Sequence, residues 1–262
     1  MKEITSLSEF NNLFLPEIRS DYSIRHYFRG TNCEHSLLPK LCRETEKERL
    51  FKIYPSSKSI LDPQKGLCHL ETSILKRFRR YALHHYLAGE HRSFTGGNPS
   101  SLEWLCVAQH HNLPTLLLDW TRKPLVALYF ACRKGDNGKP GQLWHMRLKP
   151  KGAREELTVH LEDETTYRHI ENPAGPLVVV PWVFTHRIEA QGGRFIYCKS
   201  TPTVPLEKQD ITEFTPWEQL DSYQIPTGVK DSIIEELRFC SINYASLFPD
   251  LDGWAHYLTN DY

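Results

Sequence analysis

The chain has 262 residues, 40% of them hydrophobic and 24% charged, with a formal net charge of +0. These fractions are ordinary for a soluble globular protein, and the zero balance excludes a bulk electrostatic pull toward nucleic acid or membrane while leaving room for a local basic patch. Seven cysteines (Cys33, Cys42, Cys68, Cys106, Cys132, Cys198 and Cys240) are scattered and never spaced as CxxC. That argues against a disulfide framework and a zinc ribbon, and points to a reducing, cytoplasmic compartment. The start, MKEITSLSEFNNLF, has no long apolar core or cleavage site, so no signal peptide is expected. No run approaches the ~18 apolar residues of a membrane span, so no membrane partner is expected.

Ser6 and Glu9 fit a capping box, and Leu7, Phe10 and Phe14 follow at helical spacing, predicting a short N-terminal helix. Residues 23–29, SIRHYFR, read as a strand with Ile24, His26 and Phe28 on one face and Arg25, Tyr27 and Arg29 on the other. Gly30 ends it and allows a ligand or another backbone to approach closely. Residues 42–50 are charged and compatible with a helix, 54–67 read as a loop, and 70–87 as a longer helix. The cluster Lys76-Arg77-Phe78-Arg79-Arg80 is the most basic stretch of the chain; it suits either a phosphate backbone or a solvated helix face.

Residues 89–99 read as a loop, and Ser100 with Glu103 as a second capping box opening a helix. The unit from 109 to 131, QHHNLPTLLLDWTRKPLVALYFA, comes next. Leu116-Leu117-Leu118 is a short buried strand, Asp119-Trp120-Thr121 follow where it ends, and Pro124 opens a helix with one apolar face made by Leu125, Leu128, Ala131 and Cys132. Such a corner attracts anions, although Asp119 or Thr121 could instead cap the helix. Further strands are expected at 142–149, 177–183, 184–190 and 194–197; 150–172 stays unassigned. Residues 200–229, rich in proline, are expected to wrap the surface. Asp231 should cap a helix reaching Phe239, and a short helix should close the chain. With no repeat or linker visible, the expectation is one domain, 1–262: mixed α/β, with a bent or split mixed sheet flanked by helices.

The histidines give little support to a metal. His110-His111 and His84-His85 are adjacent, which points the rings apart, and neither pair belongs to an HxxxH or HxH spacing. One histidine at a pocket rim is the better reading. Cys106 and Cys132 sit at apolar helical positions and read as core residues rather than nucleophiles.

Several stretches together resemble the FRG domain family, named for its Phe-Arg-Gly motif. They are Tyr27-Phe28-Arg29-Gly30 with Leu38-Pro39; the run from Gln109 to Thr115; Leu117-Leu118-Asp119-Trp120-Thr121; Pro124 with Val126 to Ala131; Arg187-Ile188 through Gln191, Gly193 and Phe195; and Leu247 to Gly253. The resemblance spans roughly residues 5–258. It departs at Leu116, where the family pattern tends to carry arginine. Members resemble bacterial or phage proteins, sometimes in toxin or defence settings.

A weaker likeness is to ADP-ribosyltransferases of the arginine–serine–glutamate type. Tyr27 to Gly30 is similar to their first element, Asp119 to Ala131 to their strand-to-helix element, and Glu189-Ala190-Gln191 falls in order for their third, with glutamine in the last place. The resemblance implies an ADP-ribosyltransferase-like fold and NAD as a substrate, with a protein or nucleic acid as acceptor. Arg29 would bind the pyrophosphate, and Tyr27, Gly30, His110, Tyr129 and Phe130 would complete the cofactor site. Asp119 and Thr121 would shape the pocket, with Glu189 or Gln191 nearest the reacting carbon. Two plainer readings stay open: an ion pair between Arg29 and Asp119, and a turn hydrogen bond for Gln191. The rival function is a non-catalytic module for a dinucleotide, another small ligand or a partner; a third possibility is nucleic-acid binding or hydrolysis through the 76–80 cluster.

Overall fold

The computed structural model describes residues 2–34, 36–87, 101–134, 138–148, 156–158, 177–181, 185–198, 203–208 and 217–260. The loop expected at 89–99, the cap at Ser100 and most of 150–172 lie outside these residues.

The strands are β1 (Lys2–Glu3), β2 (Arg25–Thr31), β3 (Leu117–Thr121), β4 (Gly141–Leu148), β5 (Glu156–Thr158), β6 (Leu177–Val180), β7 (Gly193–Tyr197) and β8 (Trp217–Ile225). They form one mixed eight-stranded sheet in the order β1-β8-β4-β2-β3-β7-β6-β5. Pairing is antiparallel except for β1 with β8 and β5 with β6. The sheet is continuous rather than split, but it narrows to a pinch. β2 pairs with β4 along its whole length, but it meets β3 only where Phe28 opposes Thr121.

The helices are α1 (Leu7–Ser20), α2 (Glu44–Ile53), α3 (Pro55–Lys58), α4 (Pro63–Leu87), α5 (Ser101–His110), α6 (Pro124–Cys132), α7 (His186–Gln191), α8 (Lys230–Phe239), α9 (Tyr244–Leu247) and α10 (Leu251–Asn260). Strand alternation sorts the core into three clusters. On one sheet face Tyr27, Leu118, Trp120, Trp144, Met146 and Ile196 pack together across both halves. On the other face the helices divide. Phe28, Leu143 and Tyr223 pack under residues of α1, α6 and α8, while Leu117, Phe195 and Tyr197 pack under residues of α2, α4 and α5. A gap opens between the two helical groups, directly over the pinch in the sheet.

Several expectations need correction. Residues 54–67 are helical apart from a short break: α4 starts at Pro63, and Asp62 Oδ1 accepts from the amides of Gln64 and Lys65 at 2.9 and 3.3 Å. Asp-Pro is therefore an N-cap followed by the first helical residue. Of the strand expected at 184–190, residue 184 lies outside the described residues and 186–190 belong to helix α7, capped by Thr185 Oγ1, which accepts from the Ile188 amide, and closed by Gly192 in the left-handed region. Within 200–229, residues Trp217–Ile225 form β8, which lies beside β4 inside the sheet. Asp119, Trp120 and Thr121 belong to β3 and do not follow it. Helix α6 is buried on most sides instead of along one stripe, with Val126, Ala127, Leu128, Tyr129, Ala131 and Cys132 all buried. Asp231 lies in the first turn of α8, whose N-cap is Val229. The Ser6 cap of α1 forms as expected, but Glu9 accepts from Thr5 rather than completing the box, and the helix runs on through Pro16.

Gly30 explains how α6 lies so close to β2. A Cβ there would stand 1.8 Å from the Ala127 carbonyl oxygen. The close approach anticipated at this glycine is therefore that of a helix backbone.

Candidate functional site

A cavity of about 480 Å³ occupies the gap between the helical groups, within the usual range for small-molecule sites. Its floor is the pinch: Arg29 and Gly30 come from β2, Asp119 and Thr121 from β3. One wall is α6, through Val126, Ala127 and Phe130; the C-terminal end of α5 supplies Gln109 and His110; α7 supplies Arg187 and Gln191.

Arg29 bridges the pinch. Its Nη1 donates to the Asp119 carbonyl at 2.5 Å, ninety positions away in the chain, and lies 3.9 Å from Asp119 Oδ2. The side chain replaces a ladder partner where the strands part. Burial pushes the guanidinium pKa down and the nearby Asp119 pulls it back up, while Arg43 adds to the fall. The cation therefore sits in a partly desolvated place beside a second cation.

The Asp119 side chain is 62% exposed toward the cavity mouth. Both of its oxygens accept from Gln109 Nε2 at 3.2 Å, and Gln109 Oε1 in turn accepts from Thr115 Oγ1 at 2.6 Å. This relay fixes how the carboxylate faces. Thr121 is structural: its hydroxyl donates to the Gln191 carbonyl at 2.6 Å and accepts from the Lys123 amide at 2.9 Å, tying β3 to α7 and to the start of α6. The Gln191 amide donates to the Leu247 carbonyl at 3.0 Å. That bond anchors α9, in place of the turn bond anticipated.

Charge in the cavity is lopsided. Arg29, Lys40, Arg43, Arg187 and Arg194 line it, and Asp119 is the one carboxylate among its described lining residues. Lys40 Nζ rests on the Asn112 carbonyl at 3.1 Å, and Arg194 Nη1 on the Gly193 carbonyl at 2.8 Å. Neither contact neutralises the charge. The Arg187 guanidinium lies 4.4 Å over the Phe248 ring; burial lowers its pKa, and Asp119 offsets part of that. Cations gathered this way around one acid favour an anion in the cavity.

Of the residues singled out from the sequence, Arg29, Gly30, His110, Asp119, Thr121, Phe130 and Gln191 line the cavity. Tyr27, Tyr129 and Glu189 do not. Tyr27 shares its strand face with Arg29 but stands two residues earlier in β2, fully buried with Leu118 and Trp120. Tyr129 is one step around α6 from Phe130 and faces a smaller depression with Arg133 and Asp231. Glu189 fails because its segment is a helix: residues two apart share a face on a strand but diverge on a helix, and Glu189 is exposed on the outside. Lys40, Arg43, Gln109, Arg187 and Arg194 were not singled out for the site. Gln109 opens the longest motif and Arg187 opens the third block, so the signal for both was present. Leu116 is wholly buried and packs with the α4 and α5 core.

Two of the four cations of the basic cluster lean on aromatic rings, while Lys76 and Arg80 are exposed. Arg77 lies over the Tyr54 ring at 5.5 Å and Arg79 over the Trp104 ring at 5.6 Å. Among the described residues no helix is long and apolar enough to cross a membrane.

Residues 25–139 match the family model of the FRG domain. The match takes in β2, β3 and α6, but the supposed third and fourth blocks fall beyond it. No curated protein and no solved structure matches the chain.

Proposed function

On the premise that this chain carries an FRG domain at residues 25–139, we propose that its cavity binds NAD and acts on it in the manner of an ADP-ribosyltransferase or NAD glycohydrolase. The observation that carries the reading is the meeting of Arg29 and Asp119 in one cavity with four further cations and, among the described lining residues, no second acid. A dinucleotide has the matching chemistry. Its pyrophosphate suits the guanidinium groups, which bind phosphate oxygens in pairs. Its flat rings suit Phe130 and the other aromatic side chains of the lining.

Asp119 is the carboxylate for the reacting centre. As the bond from ribose C1′ to nicotinamide breaks, nicotinamide leaves with the bonding pair and positive charge grows on the sugar, which a fixed carboxylate stabilises. Water or an acceptor nucleophile then bonds to C1′ and gives up its proton. The acceptor would be a protein or a nucleic acid, and the setting a bacterial or phage toxin or defence effector. The test is calorimetry with NAD alongside an assay for free nicotinamide and for labelled acceptor. No binding together with no turnover overturns the proposal.

A second reading has its own support. Glu189 stands outside the cavity, and Asp119 is well exposed, so its charge is less effective than a desolvated one. Both features suit a module that binds a dinucleotide without cleaving it. Saturable NAD binding with no nicotinamide release selects this alternative. Nucleic-acid binding through residues 76–80 is the weakest option, because Arg77 and Arg79 already rest on aromatic rings.

A further inference from the structure

A second polar cluster lies under α1, on the Phe28 face of the sheet. His26 Nδ1 and His145 Nε2 face each other at 2.9 Å. The His145 ring is fully buried, stacked on Phe28 at 4.5 Å and met edge-on by Phe14 at 5.0 Å. Glu17 reaches in from α1, so that one donor atom from each of Glu17, His26 and His145 lies within 4.8 Å of the other two. Arg147 bonds both Glu17 Oε1 and Asp221 Oδ2.

As packing alone this cluster is expensive. Two neutral rings facing one another make one N–H···N bond. The outer nitrogen of one ring then carries a hydrogen and that of the other a lone pair. Both outer atoms, His26 Nε2 and His145 Nδ1, are buried without a partner. Apolar residues of the same shape would avoid that penalty, so a polar pair kept here points to a use for the two facing nitrogens; the outer atoms stay without partners whether or not those nitrogens hold an ion. Neutral imidazole is the form that ligates metals. Two carboxylates, Glu17 and Asp221, face the single guanidinium of Arg147. The carboxylate side of the cluster is open to water: the side chains of Glu17, Asp221 and Arg147 are 27, 31 and 18% exposed. An ion can enter there and keep a water as its remaining ligand.

We propose that Glu17, His26 and His145 form a transition-metal site, with zinc the chemical best fit, that fastens α1 to β2 and β4. Two imidazoles and one carboxylate suit zinc, cobalt or nickel rather than magnesium or calcium. Around a tetrahedral zinc the two ring nitrogens would stand about 3.3 Å apart; from the present head-on pair at 2.9 Å they part by a few tenths of an ångström, and each ring turns by about 35° to aim its lone pair at the ion. Glu17 uses one oxygen toward Arg147 and offers the other. Arg147, itself held by Asp221, orients the ligating carboxylate from outside the coordination sphere. Phe28 touches both places, as a wall of the cavity and as the ring under His145, so a bound ion would also stiffen one side of the cavity.

The experiment uses the full chain, stripped with a chelator and titrated by calorimetry with zinc and with cobalt(II). One ion per chain, visible absorption bands of four-coordinate cobalt and a higher melting temperature are expected. Glu17→Gln and His26→Gln should each weaken binding by at least about tenfold, and an H186A/H256A double variant should not change it. Circular dichroism checks the fold of each variant, and the cobalt spectrum of the parent needs no variant at all. Absence of a bound ion in the parent, or tight binding that survives both ligand substitutions, overturns the proposal.

Discussion

Arg29→Met separates the two things Arg29 could be doing. The substitution keeps an unbranched, roughly similar side chain and removes the charge. On the stability side, one hydrogen bond from a charged group is lost, the 2.5 Å contact with the Asp119 carbonyl, worth about 1.5–3 kcal/mol. The ion pair adds less than about 1 kcal/mol, because at 3.9 Å its carboxylate is 62% exposed. Against these losses, a guanidinium only 13% exposed no longer has to be taken out of water, a relief of several kcal/mol on the scale of buried ions. The net change in stability should stay within about 2 kcal/mol of zero, in either direction. Binding should behave differently. Losing a buried, paired contact to a phosphate removes about 2–4 kcal/mol, a factor of roughly 30 to 1,000 in affinity. The assay pairs urea denaturation with calorimetry against NAD and ADP-ribose. If Arg29→Met binds within about threefold of the parent, the arginine is not a phosphate ligand. A stability loss above about 4 kcal/mol would show that bridging the strands is its whole purpose.

Three other outcomes are expected. Asp119→Asn should abolish nicotinamide release while NAD binding persists, whereas Glu189→Gln should leave both unchanged; equal losses in the two variants would contradict the placement of Glu189 outside the cavity. Gly30→Ala sets a methyl group 1.8 Å from the Ala127 carbonyl oxygen. Because the obstacle is helix backbone, destabilisation at or above the upper end of the usual 1–3 kcal/mol for overpacking is expected by urea denaturation, roughly 3 kcal/mol, and a neutral change would refute the close packing of α6 on β2. Alkaline pH should unfold the protein. Burial raises the thiols of Cys42, Cys106, Cys132 and Cys198, the latter two to about 12, and it raises the Tyr197 hydroxyl that donates to Glu71. These groups stay protonated in the folded chain and ionise when it unfolds, so stability is complete below about pH 9 and falls above it, by up to about 1.4 kcal/mol per pH unit for each group. Denaturation midpoints at about pH 8 and about pH 10 should therefore differ, by more than about 2 kcal/mol in stability; equal midpoints would contradict the sign.

Local rules served well wherever one signal dominated. The Ser6 cap, the alternation of β2, Pro124 at the start of α6 and the apolar run of β3 all appear where their chemistry places them. Asp62-Pro63 was legible too, but breaker residues were read as a loop instead of a helix start. Residues 184–190 failed for a different reason. Phe184, Thr185 and Ile188 favour strands, yet Thr185 and Gly192 cap a helix between them, and caps outweigh propensity in so short a segment. That single error misplaced Glu189. β8 was hidden because WEQLDSYQI is polar and lies between Pro216 and Pro226; its pairing with β4, and the bond from Arg147 to Asp221, come from parts of the chain far away in sequence. The cationic lining was the least visible feature of the site. Lys40, Arg43, Arg187 and Arg194 belong to separate segments and become neighbours only on folding.

The single pair joining β2 to β3 has a mechanical meaning. Across an ordinary ladder, moving one half of a sheet against the other breaks a whole row of hydrogen bonds. Here a twist about the Phe28–Thr121 contact would strain few ladder bonds, and the resistance falls to the Arg29 bridge and to the apolar layer that packs across both halves. A guest that draws this guanidinium toward itself would take away the one charged tie at the seam and leave the apolar layer to hold the halves in line.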